Sequence, residues 1–340
     1  MANILAAAAG LGLIWGLVTL GIFISFRVLN MPDLSVEGSI VTGAAVAAML
    51  IIDGVQIAIG DLIYINIPPV HPLVALGCAA FAGAIAGTLT GFLHTRLKIP
   101  ALLSGILTMT ALYSINLRIM GGRPNVPLLR QDTLLTPFIE MGLSRDHAII
   151  IISIVTAALV IVLLRWFLTT EFGSALRATG NNPDMSTAQG ININTMKLVG
   201  LACANSLVGL AGGLLVQYQG FVDIQMGIGA IVIALASLII GEVIFGRTTL
   251  LRSMIAVVLG AVVYRIIIAM VLEAGMAATD LRLFTAITVA LALWLPTARE
   301  QIDALSRRIK HRKGTFDQAG PNRPNGMDAW LGWLPKGRKD

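Results

Sequence analysis

Charged residues are scarce in this chain, at 12% of its 340 residues, where an ordinary soluble domain carries roughly a quarter. A soluble globular protein is excluded, because 56% hydrophobic residues and a mean hydropathy of +0.84 arise only from long apolar runs. Cysteine is nearly absent: Cys78 and Cys203 lie in apolar stretches with no second cysteine or histidine nearby, so neither a disulfide framework nor a zinc site is expected. The four histidines, His71, His94, His147 and His311, are scattered. There is also no phosphate-binding loop, zinc-ligand helix or nucleophile elbow. No catalytic site, metal or resident cofactor is therefore expected. No Lys or Arg precedes the first apolar run, which continues to Phe26 without a cleavage site, so a cleaved leader does not fit and the segment is expected to stay.

What is abundant is apolar sequence long enough to cross a bilayer, which takes about 20 residues as a helix because lipid offers the backbone no hydrogen-bond partner. Nine segments qualify: about 3–28, 36–53, 73–95, 100–119, 147–168, 195–217, 229–245, 250–273 and 281–297. The fold class is thus all-α, a polytopic membrane protein of about nine transmembrane helices. If the segments alternate and the C-terminus is cytoplasmic, the inner side holds eighteen basic residues, nine of them from Arg307 onward, against five outside. The positive-inside rule prefers that orientation, which puts the N-terminus outside. The net charge of +6 therefore reports orientation rather than nucleic-acid binding. The expected division is a membrane domain at 1–298 and a basic cytoplasmic tail at 299–340. In that tail Ile302, Leu305 and Ile309 recur at helical intervals beside Arg307, Arg308 and Lys310, a pattern suited to lipid or to a cytosolic partner.

Gly83, Gly87 and Gly91, spaced by four, leave one smooth stripe and read as a helix-packing seam rather than a pore. Laid on itself at an offset of 190, the chain aligns Leu17, Val18, Leu20 and Asp33 with Leu207, Val208, Leu210 and Asp223. The two stretches would cross the membrane in opposite directions, as in an inverted repeat.

Two segments break the apolar pattern. Thr170 to Gly190 is too polar to enter the membrane. Within it, Asn182, Pro183 and Asp184 form a strong helix start: a cap, a proline at the first position and an acid at the positive helix end. Gly190 supplies a stop. A short capped cytoplasmic helix of about two turns is expected. The second segment, Asn30 to Ser39, reads NMPDLSVEGS. Asp33, Ser35, Glu37 and Ser39 stand there at the edge of hydrocarbon, either as a helix start favoured by the dipole or as pathway residues.

Other polar residues carry open alternatives. Glu242, five residues before Arg247, either snorkels or pairs locally. Arg265 falls within a span, where charges are usually paired; Asp223, Asp280 or a substrate carboxylate are its candidate partners. In the outer loop Arg123 and Arg130 either dock a binding protein or are simply solvated.

The run NMPDLSVEGSIVTGAAVAA resembles the second-span signature of bacterial ABC importer permeases of the branched-chain amino acid and ribose transport family. LRATGNNPDMSTAQGININTMKL resembles that family's coupling segment. The likeness covers most of the chain in order, and Glu37 interrupts the plain D-L-S-V-G-S pattern. The resemblance implies a homodimer in the bacterial inner membrane and an external substrate-binding protein. It also implies a cytosolic ABC ATPase, which would carry ATP and Mg and contact the coupling segment at 170–192. Carried onto this sequence, the coupling residues are Arg177, Gly180, Asn181, Asn182, Pro183, Asp184, Met185 and Gly190. The expected function is the permease subunit of an ATP-driven importer for a small polar solute, with the modified motif pointing to amino acids. The alternative is an ion-coupled secondary transporter, which needs no cytosolic capped insert.

Overall fold

The computed structural model describes residues 2–52, 56–59, 63–66, 70–128 and 131–273, with scattered positions as far as 294. It divides into a unit at 1–292 and a unit at 293–340. The basic tail, Asp53, Arg130, Asp280 and most of the ninth expected span lie outside the described residues.

Eight of the nine apolar segments form helices. Helix α1 (Ala2–Ile22) runs on through a π-helical turn (Phe23–Val28) and is followed by α2 (Val36–Ile52). A short hairpin, β1 (Gln56–Ile59) against β2 (Ile63–Asn66), leads to α3 (Pro72–Thr95) and α4 (Ala101–Ile119). Then come β3 (Asn125–Pro127), α5 (Thr136–Glu140), α6 (Arg145–Thr169), α7 (Glu171–Asn181), α8 (Pro183–Ala188) and α9 (Ile193–Gln219). Strand β4 (Phe221–Asp223), antiparallel to β3, precedes α10 (Ala230–Phe245) and α11 (Leu250–Glu273). Among the described residues six helices are long and apolar enough to cross a bilayer. Helices α2 and α10 have 17 and 16 residues and reach about 26 and 24 Å at 1.5 Å per residue, short of a hydrocarbon core of about 30 Å. Two expected spans are therefore part-length helices.

Their contacts explain the shortness. Helix α9 runs antiparallel to α3, with a β-carbon on Gly83 falling 2.2 Å from the carbonyl oxygen of Asn205 and one on Gly87 falling 2.2 Å from that of Leu201. The glycine stripe is thus a backbone seam, since only glycine permits that approach. After the π turn the chain re-enters the bundle, and Asp33 meets Asn205 near the middle of α9. Helix α2 starts from that depth. On the other side of the repeat, β4 closes one end of the bundle, the segment 224–229 descends, and α10 starts beside Glu37. Both part-length helices therefore begin inside the bundle and leave it toward opposite ends.

The inverted repeat extends well beyond the four residues that suggest it. The 27 residues of α1 with its π turn match the 27 of α9, α2 matches α10, and α3 and α11 have 24 residues each. Helix α1 packs antiparallel on α11, Gly12 against Val262 and Gly16 against Val258, as α3 packs on α9. Burial follows the same plan: the apolar windows of α1 and α9 are 78% and 67% buried, whereas those of α3, α4, α6 and α11 stay at or below 39%. The first helix of each half, together with α2, forms the core, and α3, α4, α6 and α11 present apolar side chains outward.

Candidate functional site

Three polar features interrupt this apolar bundle. The first lies at the end that gathers Arg27, Arg96, Lys98, Arg165, Arg177, Lys197, Arg247 and Arg252, hereafter the basic end. Thr170 Oγ1 accepts from the backbone N–H of Gly173 and starts α7, whose Leu176 and Thr179 are buried while Arg177 is exposed. Gly180 sits so close to the π turn that a β-carbon would fall 1.9 Å from the Val28 carbonyl oxygen. Asn182 Oδ1 accepts from Met185 N at 3.0 Å, Pro183 occupies the first turn of α8, and Gly190 ends the motif at φ +81°. Asn182 is the cap that the sequence signals, although α8 has six residues, under two turns. Ser186 is buried. Asn181, Asp184 and Met185 are exposed, Met185 at 58%. The sequence reading missed α7, an amphipathic helix of 11 residues, because its few buried positions are spread among Gly, Ser and Thr.

The second feature lies at mid-depth. Asp33, 3% exposed, accepts at Oδ1 from Ser35 N at 2.9 Å and from Ser35 Oγ at 2.5 Å. Its Oδ2 accepts from Asn205 Nδ2 at 2.7 Å, so every polar neighbour supports the carboxylate. Asp33 caps α2. Glu37 does not serve its own helix start: its carboxylate accepts from Gly229 N at 3.0 Å and ties down the start of α10. Ser39 is fully buried, and its hydroxyl has no partner among the described residues. Beside Glu37 a cavity of about 270 Å³ opens between α2, α4 and the segment before α10. Asn116 lines it, donates to the Gly38 carbonyl oxygen at 3.3 Å, and leaves its Oδ1 unpartnered among the described residues. Asn205 and Asn116 escaped the sequence reading, although a lone amide in an apolar span is the signal that could have found them.

The third feature joins the two halves. Arg27, on the π turn, donates from Nε to Glu242 Oε1 at 2.9 Å and from Nη2 to the other carboxylate oxygen, and Arg247 stands 3.9 Å from the same carboxylate. Glu242 thus combines a local partner with a distant one. The guanidinium of Arg265 lies 4.5 Å from the centre of the Trp15 ring, so the indole face meets this cation, and its Nε has no hydrogen-bond partner among the described residues; Asp280, one of its candidate partners, lies outside them. Asp223 instead pairs with Asn125 at 3.2 Å. Arg123 is exposed in the loop before β3.

Among the described residues no three His, Cys, Asp or Glu side chains form a metal-binding group. No solved structure matches the chain. The profile of the family described as "Branched-chain amino acid transport system / permease component" matches residues 4–294. The tyrosine transport system permease protein of Clostridioides difficile is 37% identical over 277 residues, covering 82% of this chain and 86% of that one. An autoinducer 2 import system permease protein of Yersinia enterocolitica is 28% identical over 191 residues, which span 55% of this chain and 51% of that one. With its break-and-return helices and a match running nearly its whole described length, the chain belongs to the branched-chain amino acid transport system permease family of ABC importers.

Proposed function

We propose that this chain is the membrane-spanning subunit of a binding-protein-dependent, ATP-driven importer for a small polar solute, amino acids included. The observation that carries the reading is the α7–α8 pair: a surface element at the basic end that presents Met185 and Arg177 outward and is seated through Gly180 on the backbone of the transmembrane bundle. It offers a cytosolic ATPase a grip connected directly to the membrane helices. Residues Arg177, Gly180, Asn181, Asn182, Pro183, Asp184, Met185 and Gly190 form that coupling segment. The basic end faces the cytoplasm, since eight cations gather there against Arg118, Arg123 and Arg145 at the opposite end among the described residues, in keeping with the positive-inside rule. Two copies enclose the pathway, with Asp33, Ser35, Glu37 and Ser39 near its wall. Arg123 and Arg130 receive the binding protein. ATP and Mg belong to the ATPase, and this chain performs no hydrolysis.

The test is reconstitution of the purified permease in liposomes. Uptake is expected only with ATP, the ATPase and the binding protein together. Accumulation by this chain alone under a proton or sodium gradient, at the rate of the full complex, overturns the reading in favour of an ion-coupled carrier. Cross-linking of M185C to the ATPase is the positive counterpart for the coupling segment.

A further inference from the structure

At the basic end a cavity of about 370 Å³ opens between the π turn, α7 and the turn that joins α10 to α11. Its volume falls in the range of small-molecule sites. Arg27, Arg177 and Arg247 line it, and Glu242 is the one carboxylate on its wall among the described residues. That carboxylate is already engaged: Oε1 accepts from Arg27 Nε at 2.9 Å, Oε2 accepts from Arg27 Nη2, and Arg247 Nη1 stands 3.9 Å from Oε2. Side-chain exposure rises from 9% at Glu242 through 34% at Arg27 to 67% at Arg247, so the ion pair forms the floor and Arg247 the rim. Arg177, exposed on α7, donates from Nη2 to Ser174 Oγ at 3.2 Å, a neutral partner that leaves its charge uncompensated among the described residues. Three guanidiniums against one carboxylate leave two positive charges facing the cavity. Asn30 and Asn181 add carboxamide donors to the same wall. A guanidinium fork fits a pair of phosphate oxygens, and a phosphate monoester brings a charge of about −1.5 to −2 with three strong acceptor oxygens. A lone carboxylate balances only one of the two charges.

We propose that this cavity binds a phosphate monoester group, with Arg177 and Arg247 donating to its oxygens while Arg27 stays on Glu242. The group arrives on a soluble phosphate or as the headgroup of phosphatidic acid, because the cavity lies at the end of a transmembrane helix, the level where water and headgroups meet. Once held, it ties α7 to the turn after α10 in the other half of the repeat. Neither the ATPase nor the transported solute enters the binding event, so this inference and the importer reading stand or fall separately.

Two arms with the full-length permease test it. In the first, permease in phosphatidylcholine nanodiscs is dialysed to equilibrium against radiolabelled orthophosphate at physiological ionic strength, where exposed charges more than about 8 Å apart are largely screened. In the second, permease taken from vesicles of phosphatidylcholine and phosphatidic acid is weighed by native mass spectrometry for retained phosphatidic acid. Wild-type protein should retain its ligand in at least one arm, and R247Q should retain about tenfold less in that arm, the worth of one charge-assisted hydrogen bond. R165Q removes an exposed charge from the same end but outside the cavity, and it should match the wild type. Binding in the first arm alone assigns a soluble phosphate, in the second alone a lipid headgroup, and in both the phosphate group itself. No retention in either arm overturns the proposal, as does equal retention by wild type and R247Q. An equal loss in R165Q overturns it too, since the effect then belongs to the diffuse charge of the basic end. Should R247Q fail to fold, R177Q decides by the same two measurements: a comparable loss supports the site, and unchanged retention overturns it.

Discussion

The two inverted halves solve the same problem with different chemistry. Each long first helix is followed by a chain that turns back into the bundle and starts a part-length helix there, and each return is opened by an aspartate. Asp33 accepts from the N–H of Ser35 at 2.9 Å, and Asp223 accepts from that of Gln225 at 2.7 Å, the same two-residue turn. Their surroundings differ. Asp33 is sealed in and held by Ser35 and Asn205, whereas Asp223 is half-exposed and leans on Asn125. The second return relies on glycine instead: Gly220 and Gly229 adopt φ of +79° and +82°, and a β-carbon on Gly227 would fall 2.0 Å from the Glu37 carbonyl oxygen. A buried backbone that cannot reach water can be satisfied by a side chain or shortened by glycine; the first return leans on buried side chains, and the second adds glycine to its carboxylate acceptors.

The contrast is broken most severely at Gly227. Replacing it with leucine should destabilise the protein by more than about 3 kcal/mol, because the obstructing atom is backbone and cannot swing aside. Fluorescence-detected size exclusion of heated, detergent-solubilised protein should show little folded material. G77I, on the open face of α3 where a β-carbon meets nothing within 4 Å, should melt like the wild type. Normal melting of G227L would remove glycine from the explanation. Next comes Asp33→Ala, which removes the acceptor of the Ser35 N–H and leaves Asn205 Nδ2 only its bond to the Leu201 carbonyl oxygen; it should cost about 3 kcal/mol. Asp33→Asn, which keeps an acceptor and the size, should cost less than half as much in the same melting assay.

The matching change in the other half sharpens the comparison. Asp223→Ala should cost only about 1 kcal/mol, as water can replace the lost acceptor; equal losses at 33 and 223 would dissolve the distinction. The smallest effect on stability is expected for Asn182→Ala, about 1 kcal/mol or less of helix start at the protein surface. Under the importer reading, its larger signature is reduced uptake by the assembled complex at unchanged membrane insertion.

The features legible in the sequence are those that depend on local chemistry. Long apolar runs located eight helices, Asn182-Pro183 located a capped turn, and the four-residue spacing of Gly83, Gly87 and Gly91 located a packing seam. Four aligned residues, weak by themselves, pointed to a repeat that the helix lengths bear out. Depth was not legible. A run of 17 apolar residues reads as a short span from composition, and only the contact between Asp33 and Asn205, 172 positions apart, reveals that α2 starts inside. The π turn at Phe23–Val28 also gives no signal, since its residues would suit an α-helix, and its Arg27 meets Glu242 on α10, 215 positions away. Arg265 shows the limit in another way: a buried cation signals charged partners, and nothing in the sequence signals the indole, 250 positions earlier in the chain, whose face it meets.

The direct seat of Gly180 on Val28 has a mechanical consequence. Where two elements touch through side chains, small displacements are absorbed as rotamer changes, and the contact behaves as a cushion. Here a peptide carbonyl lies against an α-carbon, with nothing compressible between them. Any push on α7 is therefore delivered without slack to Leu29, the first residue of the strap that leads to Asp33, and the only freedom left at that joint is sliding along the seam.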